Sequence, residues 1–249
     1  MIPKVIHYCW FGRKPLPASA KMCIESWRNF FPDYEIREWN EDNFDVNIIP
    51  YTQQAYEARK YAFVSDYARF WILYHIGGLY FDTDVEVIKS FDKIISRGAF
   101  MGIEESAFLD GKPMVAPGLG LGVEAGHPFY KKMLKLYGDL IYKKSDGSFD
   151  DATIVLYTTR ELLSHGLRVS DEPQEVDGIW IYPADYFCPM DSTTGITTFT
   201  ERSVSIHHYD CSWMDHNSFR FRLHQIKNLF FRLIGPKYAR IINCVLHKG

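Results

Sequence analysis

Residues 62–87, AFVSDYARFWILYHIGGLYFDTDVEV, decide the fold of this chain. The first part of the stretch predicts a helix, because large apolar side chains recur there at spacings of three and four residues. Gly77 and Gly78 are expected to end this helix, since glycine adopts the positive φ that helix ends often require. From Leu79 to Ile88 apolar and polar residues alternate, which predicts a strand.

Acidic residues lie on one face of this predicted strand. Asp82 and Asp84 share that face with Tyr80 and Glu86, while the other face is apolar apart from one threonine. Buried charge is costly unless it is paired or bound to a metal. Two neighbouring carboxylates therefore indicate a divalent cation.

A second charged pair lies on the preceding helix. Asp66 and Arg69 are three residues apart and share one helix face. The arginine indicates a ligand that is negatively charged or rich in hydroxyl groups, since a guanidinium group carries five fixed donors.

In its S-D-x-x-R and G-G-x-Y-x-D-x-D motifs, the stretch resembles glycosyltransferase family 32. The matched positions are Asp66, Arg69, Tyr80, Asp82 and Asp84, and the same spacing occurs in the glucosyltransferase domain of large clostridial toxins. The resemblance implies a GT-A-type nucleotide-diphospho-sugar transferase fold. Such a fold has a mixed central sheet flanked by helices.

The resemblance also implies roles for particular side chains. Asp66 and Arg69 would hold hydroxyl groups of the donor sugar, Asp82 would span the ribose and the metal, and Tyr80 would line the same site. The opening I-P-K-V-I-H and Trp10 also match the family, which places Trp10 against the nucleotide base. Without the resemblance, a core position for Trp10 is the simpler interpretation.

The metal is expected to bind Asp84 directly, because carboxylates are natural ligands of hard cations. A late apolar strand carries His207 and His208, of which only one can face the site. The resemblance favours His207 as a metal ligand, leaves His208 open, and places Ser212 and Trp213 at the pyrophosphate. Mixed carboxylate and imidazole ligands suit Mn²⁺ as well as Mg²⁺.

Strands and helices alternate along the rest of the chain, as in a nucleotide-binding α/β domain. The predicted elements are strand 2–11, helix 18–30, strand 34–39, a helix from about 51, strand 99–103, helices 127–137 and 152–165, and strand 179–187. Ligands of such sheets bind at the carboxyl ends of strands, where Asp82 and Asp84 would lie. This domain is assigned to residues 1–217.

Three smaller features carry their own expectations. Glu104 and Glu105 are expected to face either the cleft or solvent, with solvent favoured. Asp150-Asp151 is expected to cap the helix that follows it. The glycine-rich run 118–122 lacks the lysine and Ser/Thr of a phosphate-binding loop. The resemblance nevertheless places backbone of this region near the donor and acceptor.

Composition excludes some classes of protein. A length of 249 residues suits one large domain, and a net charge of -3 argues against a general nucleic-acid binder. The five cysteines are scattered without a C-x-x-C pair, which predicts a reducing, cytoplasmic location. No signal peptide is recognised, and no apolar run reaches the roughly 18 residues of a membrane span.

Residues 218–249 predict a basic amphipathic helical tail. The chain from Phe219 to Gly249 has seven lysines and arginines, no aspartate or glutamate, and apolar residues at helical spacings. Such a segment suits the anionic inner face of a cell membrane. The alternative, that these helices pack on the domain, stays open at this point.

Together with the resemblance, these features predict a metal-dependent hexosyltransferase, and the resemblance implies that it retains the anomeric configuration. The resemblance implies a nucleotide-sugar donor, with UDP-hexose favoured over a GDP-sugar, and a glycan or polyprenyl-linked acceptor in bacterial capsular polysaccharide synthesis. One alternative is a haloacid-dehalogenase-like phosphatase, whose D-x-D-x-V motif usually lies on the first strand. The other is a non-catalytic carbohydrate-binding protein, in which two buried acids would lack a metal.

Overall fold

The structure, a computed structural model, describes residues 1–109, 112–191 and 195–210. Its elements in chain order are β1 (Val5–Cys9), α1 (Ala18–Phe30), β2 (Glu35–Trp39), α2 (Pro50–Glu57), α3 (Tyr61–Ile76), β3 (Gly78–Tyr80), β4 (Val85–Val87), α4 (Asp92–Ile95), β5 (Phe100–Leu109), β6 (Lys112–Val115), β7 (Leu121–Val123), α5 (Pro128–Gly138), α6 (Ile154–Ser164), β8 (Gln174–Val176), β9 (Ile179–Tyr182), α7 (Ala184–Phe187) and β10 (Ser205–His207).

Eight described strands form one mixed sheet. Seven follow the order β2-β1-β3-β7-β5-β9-β8, and β6 pairs with β5. β1 is parallel to β2 and β3, β5 is parallel to β9, and β7 is antiparallel to both of its neighbours. The carboxyl ends of β1, β3, β5 and β9 therefore lie at one edge of the sheet.

Helices cover both faces of this sheet, as predicted. On one face α2, α3, α5 and α6 enclose a core that includes Phe70 and Tyr130. On the other face α1 and α7, together with the small sheet of β4 and β10, enclose Trp27, Phe81 and Phe187. The predicted mixed α/β architecture is confirmed.

The predicted continuous strand from Leu79 to Ile88 is wrong. The chain leaves the sheet after β3, makes a turn closed by a 3.0 Å bond from the Val85 amide to the Asp82 carbonyl, and resumes as β4. β4 pairs with β10 instead of with the main sheet. Asp82 and Asp84 therefore lie in a turn at the sheet edge, and not on the face of a strand.

Gly77 and Gly78 end α3 as predicted. Their φ angles are 72° and 106°, and a Cβ on Gly78 would lie 2.6 Å from the Val5 carbonyl oxygen. The two glycines let α3 pass directly into β3 beside β1. This short connection places the charged pair of α3 next to the turn that carries the acids.

Two further expectations need correction. The N-cap of α6 is Thr153, whereas Asp150 accepts hydrogen bonds from the Ala152 amide (3.2 Å) and the Tyr157 hydroxyl (2.7 Å). The strand expected to end at Ile103 continues as β5, because β6 folds back on it and pairs with its second half.

Other features concern the cysteines, the lengths of the helices and the predicted tail. Cys9 and Cys23 are buried free thiols. Among the helices within the described ranges, none is long and apolar enough to cross a bilayer. The predicted tail, 218–249, lies outside the described residues.

A buried histidine joins β1, β2 and the end of α3. The Nδ1 atom of His7 accepts a hydrogen bond from Trp39 Nε1, and its Nε2 lies 3.0 Å from the Gly77 carbonyl oxygen. Burial lowers the pKa of His7 to about 4. The ring is therefore neutral near pH 7, with its proton on Nε2 for Gly77.

We expect His7 to make the fold sensitive to acid. Its pKa of about 4 in the folded protein lies below its ordinary value of 6.5, so the unfolded chain takes up a proton first as the pH falls. The contribution of neutral His7 to the free energy of unfolding is fully present above pH 6.5 and is lost as the pH falls towards 4. Urea unfolding should show that His7 accounts for about 2 kcal/mol of lost stability between pH 7 and pH 5.

The control for this prediction is His7→Gln, which removes the titration and keeps a side chain that donates and accepts. The variant should lose about 2 kcal/mol less than the wild type over the same pH interval. Asp66, whose raised pKa acts in the opposite direction, is present in both proteins and cancels. Equal losses in the two proteins would contradict the assignment to His7.

Candidate active site

Asp82 follows β3 at the carboxyl edge of the sheet and is held from two sides. Arg69 lies 3.2 Å from Oδ1 and 3.3 Å from Oδ2, and the Tyr80 hydroxyl donates to Oδ1 at 3.1 Å. The Asp82 side chain is 30% exposed, whereas that of Arg69 is 5% exposed. Of this pair, Asp82 is the member that a ligand can reach.

Arg69 is the centre of a buried polar network. Its guanidinium group also lies 3.2 Å from Asp66 Oδ1, donates from Nε to the Ser65 carbonyl oxygen, and covers the Tyr80 ring at 4.8 Å. Burial disfavours the charged form, but the neighbouring carboxylates keep the pKa of Arg69 above its ordinary value. The side chain is thus charged and fully engaged.

Asp66 ties this network to a distant helix. Its Oδ2 accepts a hydrogen bond from the amide of Ile154, the first residue of α6, at 3.3 Å. Burial raises the pKa of Asp66 to about 6, although Arg69 and the Ile154 amide act in the opposite direction. The predicted pairing of Asp66 and Arg69 on one face of α3 is confirmed, but both side chains point into the protein.

Asp84 forms a separate pair with a histidine of β10. His207 Nε2 lies 3.1 Å from Asp84 Oδ1, and the Asp210 amide donates to Asp84 Oδ2 at 3.1 Å. Although burial opposes both shifts, the ion pair lowers the pKa of Asp84 and raises the pKa of His207 to about 9. The buried Nδ1 of His207 has no hydrogen-bond partner among the described residues.

His208 points to a different acid. Its Nε2 lies 2.8 Å from Glu86 Oε2, and both of these side chains are more than a third exposed. The backbone amide of His208 donates to the Asp84 carbonyl oxygen at 2.9 Å. Only His207 of the two histidines therefore places its ring against an acid of the D-x-D motif.

The chemistry of Asp84 and His207 fits a divalent cation. Two adjacent ligands at 2.0–2.1 Å from an octahedral Mg²⁺ are about 3 Å apart, close to the 3.1 Å between Oδ1 and Nε2. In the described part of the chain, no group of three or more His, Cys, Asp or Glu side chains is arranged to hold a metal. Two protein ligands are sufficient when substrate phosphates and water complete the shell.

Trp10 lies just beyond β1, the strand next to β3. Its ring is half-buried against the α1 side of the core, and its Nε1 donates to the Lys14 carbonyl oxygen at 2.6 Å. The structure therefore brings Trp10 to the same sheet edge as Asp82. Its predicted contact with a nucleotide base stays a prediction, as do the roles of Ser212 and Trp213, which lie outside the described residues.

Three further residues lie at this edge, and the sequence pattern gave no signal for one of them, Asp210. Gly118 accepts a hydrogen bond from the Asp82 amide at 3.1 Å, and Asp210 bonds Asp84 as described above. Glu104 was expected to face solvent, but it is half-buried and, after Asp84 and Asp82, contributes to the raised pKa of His207. The strand 99–103 predicted from the sequence would end at the same edge as β3, so the rule that strand carboxyl ends converge favours the cleft for Glu104.

This combination of fold and site is similar to that of D-x-D-type glycosyltransferases. A parallel β2-β1-β3 unit leads into an antiparallel β7, and the acids lie at the carboxyl edge between them, so the predicted GT-A-type fold class is confirmed. Residues 17–101 match the family described as "Glycosyltransferase sugar-binding region containing DXD motif". The matched part includes all five motif positions and supports the family 32-type assignment.

Curated relatives match over part of their length. Inositol phosphoceramide mannosyltransferase 3 of Schizosaccharomyces pombe is 27% identical over 142 residues, which cover 54% of this chain and 36% of that protein. Mannosyl phosphorylinositol ceramide synthase SUR1 of Saccharomyces cerevisiae is 27% identical over 139 residues, which cover 54% and 34%. The match thus spans about a third of the length of these relatives.

Solved structures similar to this chain are also glycosyltransferases. PaToxG glycosyltransferase has 22% identity and a TM-score of 0.43, covering 54% of this chain and 60% of that one. The galactosyltransferase LgtC has 15% identity and a TM-score of 0.43, covering 88% and 94%. A glycosyltransferase involved in glycosylation of the major capsid of PBCV-1 has 10% identity and a TM-score of 0.46, covering 90% and 99%.

Proposed function

We propose that this protein uses a divalent cation to transfer a hexose from a nucleotide sugar to a glycan or lipid-linked oligosaccharide. The observation that carries the proposal is the Asp84–His207 pair beside Asp82, at the sheet edge where nucleotides bind in α/β folds. The family match over residues 17–101 supports it. The names of the curated relatives describe mannosyl transfer to a lipid.

Asp84 and His207 would hold Mn²⁺ or Mg²⁺, with Asp82 as the further predicted ligand. A divalent ion there would offset the charge that develops on the leaving diphosphate. Trp10, at the end of the neighbouring strand, offers a stacking surface for the base. Such stacking contributes about 1–3 kcal/mol on other aromatic platforms.

The contacts with the donor are assigned from the solvent exposure of the side chains at the site. Asp82 is the more exposed member of its network, so its carboxylate is proposed to touch the donor. Asp66 and Arg69 were expected to bind sugar hydroxyls directly. Because both side chains are almost completely buried, we propose instead that they orient Asp82.

We propose that the transfer retains the anomeric configuration by front-face displacement. A double displacement needs a carboxylate nucleophile beneath the sugar. Asp82 is engaged by Arg69 and Tyr80, and Asp84 by His207, which leaves neither motif acid free for covalent chemistry. The leaving diphosphate would then help to take the proton of the acceptor hydroxyl.

The rival functions make different predictions. A haloacid-dehalogenase-like phosphatase usually carries its nucleophile on the first strand, whereas this D-x-D motif follows β3. A phosphatase would hydrolyse phosphate monoesters, and a passive carbohydrate-binding protein would not require a metal. Neither rival needs a nucleoside diphosphate.

A donor-hydrolysis screen tests the proposed function. UDP-hexoses are the first candidates from the sequence resemblance, and GDP-mannose is included because the curated relatives are named as mannosyltransferases. We expect one class of nucleotide sugar to release its nucleoside diphosphate with Mn²⁺ and not with excess EDTA. Hydrolysis of no donor, or of phosphate monoesters instead, would overturn the proposal.

We also propose that residues 218–249 bring a cytoplasmic enzyme to the inner face of the membrane, where a polyprenyl-linked acceptor would lie. The seven basic residues of this tail carry the proposal, at about 1 kcal/mol each near an anionic surface. Sedimentation with phosphatidylglycerol vesicles should show binding at low salt and release at high salt.

The control is a protein truncated after Asn217, together with neutral phosphatidylcholine vesicles. The truncated protein should stay in the supernatant under every condition. Equal sedimentation of the truncated and full chains, or no binding of the full chain at low salt, would rule out the tail as the membrane contact.

A further inference from the structure

Gly118 lies directly against the Asp82 carboxylate. It belongs to a tight turn in which the Leu119 amide bonds to the Ala116 carbonyl oxygen, and its own carbonyl oxygen accepts from the Asp82 amide at 3.1 Å. A Cβ placed on Gly118 would lie 2.0 Å from Asp82 Oδ2 and 3.4 Å from the nearest Arg69 guanidinium nitrogen. Side chains do not approach within 3.0 Å in this way, so any residue larger than glycine must move Asp82.

Position 118 requires glycine because of the space available to a side chain, and not because of a positive φ. Gly118 is not among the glycines with positive φ, unlike its neighbour Gly120 at 150°. An alanine at position 118 would therefore not meet the strain of a positive φ. Its methyl group would compete with a carboxylate oxygen for the same volume.

Moving the Asp82 carboxylate out of that volume would cost it contacts with its neighbours. Its Oδ2 is bonded to Arg69 at 3.3 Å, and its Oδ1 to Arg69 and to the Tyr80 hydroxyl at 3.2 and 3.1 Å. Rotating the carboxylate away from Gly118 would break the first of these contacts. It would also leave the guanidinium group of Arg69, which is 5% exposed, without one of its partners.

We propose that Gly118 is a positioning residue of the transferase site, whose missing side chain reserves the space in which Asp82 binds Arg69 and faces the donor. The effect on the donor rests on the proposed function. The steric relation between Gly118 and Asp82 does not, and it is tested separately.

A double-mutant cycle on thermal stability tests the steric relation in the full chain. Gly118→Ala should lower the Tm of the wild type by about 4–8 °C, as for an overpacked site. In the Asp82→Ala background the same substitution should lower the Tm by less than about 2 °C, because the clashing oxygen is gone. In the isosteric Asp82→Asn background the full loss should return.

Two further variants keep the test decisive. Gly138→Ala is the matched control, since nothing lies within 4 Å of a Cβ at Gly138, and it should not lower the Tm. Asp82→Ser replaces Asp82→Ala if the latter does not fold, because serine also lacks the Oδ2 atom. Equal losses from Gly118→Ala in the wild type and in the shortened background would overturn the positioning role.

Calorimetry with Mn²⁺ and UDP or GDP tests the consequence for the donor. Gly118→Ala should weaken nucleotide binding about 10-fold or more, and Gly138→Ala should not change it. Unchanged affinity in Gly118→Ala would overturn the link from this residue to the donor. If the wild type binds neither nucleotide, the proposed function fails, while the Tm cycle still decides whether Gly118 positions Asp82.

Discussion

Asp84→Asn should lower donor turnover by about 10³-fold, the size of effect expected when a group that stabilises developing charge is removed. Asparagine keeps the shape of the side chain and an oxygen that accepts from the Asp210 amide. It lacks the negative charge that would hold the cation together with His207. The measurement is release of nucleoside diphosphate from the best donor at saturating Mn²⁺, with circular dichroism to confirm that the variant is folded.

The matched control is Glu86→Gln. Glu86 forms the neighbouring carboxylate–histidine pair with His208, at a similar distance but with more than twice the exposure. This substitution should change turnover by less than about threefold, because exposed ion pairs contribute little. Full turnover of Asp84→Asn, or of the wild type in excess EDTA, would contradict the role given to Asp84.

Arg69→Ala should destabilise the protein by about 3–5 kcal/mol, because it leaves the Asp66 and Asp82 carboxylates without their shared cation. Asp66 is only 10% exposed and cannot recover the loss from water. If Arg69 contacted the donor sugar directly, as the resemblance implies, this variant would instead impair sugar transfer more than nucleotide binding. The buried network predicts that stability falls first, and the measurement is urea unfolding at pH 7.

Arg69→Lys separates the charge of Arg69 from its geometry, and Arg37→Ala is a surface control. Arg69→Lys keeps a cation but not the paired donors that reach both carboxylates, so it should recover part of the stability. Arg37→Ala removes an arginine of β2 whose pair with Glu35 lies at the surface, and it should cost less than about 1 kcal/mol. An Arg69→Ala protein as stable as Arg37→Ala would show that the network does not hold the fold together.

The sequence predicted those features that local chemistry determines. The amphipathic pattern and Gly77-Gly78 placed α3 and its end correctly, and the three-residue spacing of Asp66 and Arg69 put them on one face. The D-x-D acids were correctly placed near the carboxyl end of a strand in a mixed α/β sheet. Each of these predictions depends on residues that are close together in the chain.

The errors arise from contacts between distant parts of the chain. The alternation from Leu79 to Ile88 has the period of a strand, but pairing of β4 with β10, about 120 residues later, takes its second half into another sheet. Burial of Asp66 depends on the amide of Ile154, and that partner cannot be recognised from spacing. Gly118 meets Asp82 only because β7 lies beside β3.

We propose that Asp84 and His207 hold a divalent ion that carries a nucleoside diphosphate. The most direct test of this metal site is a thermal-shift measurement with UDP and GDP, each with Mn²⁺ or with EDTA. It is made on the wild type, His207→Ala and His208→Ala. One nucleotide at about 100 times its Kd should stabilise the wild type by about 2.7 kcal/mol, or about 5–10 °C, with Mn²⁺ only. His208→Ala should keep this thermal shift, and His207→Ala should lose it. An equal shift of the wild type in EDTA would contradict the proposal. Loss of the shift in His208→Ala but not in His207→Ala would also contradict it.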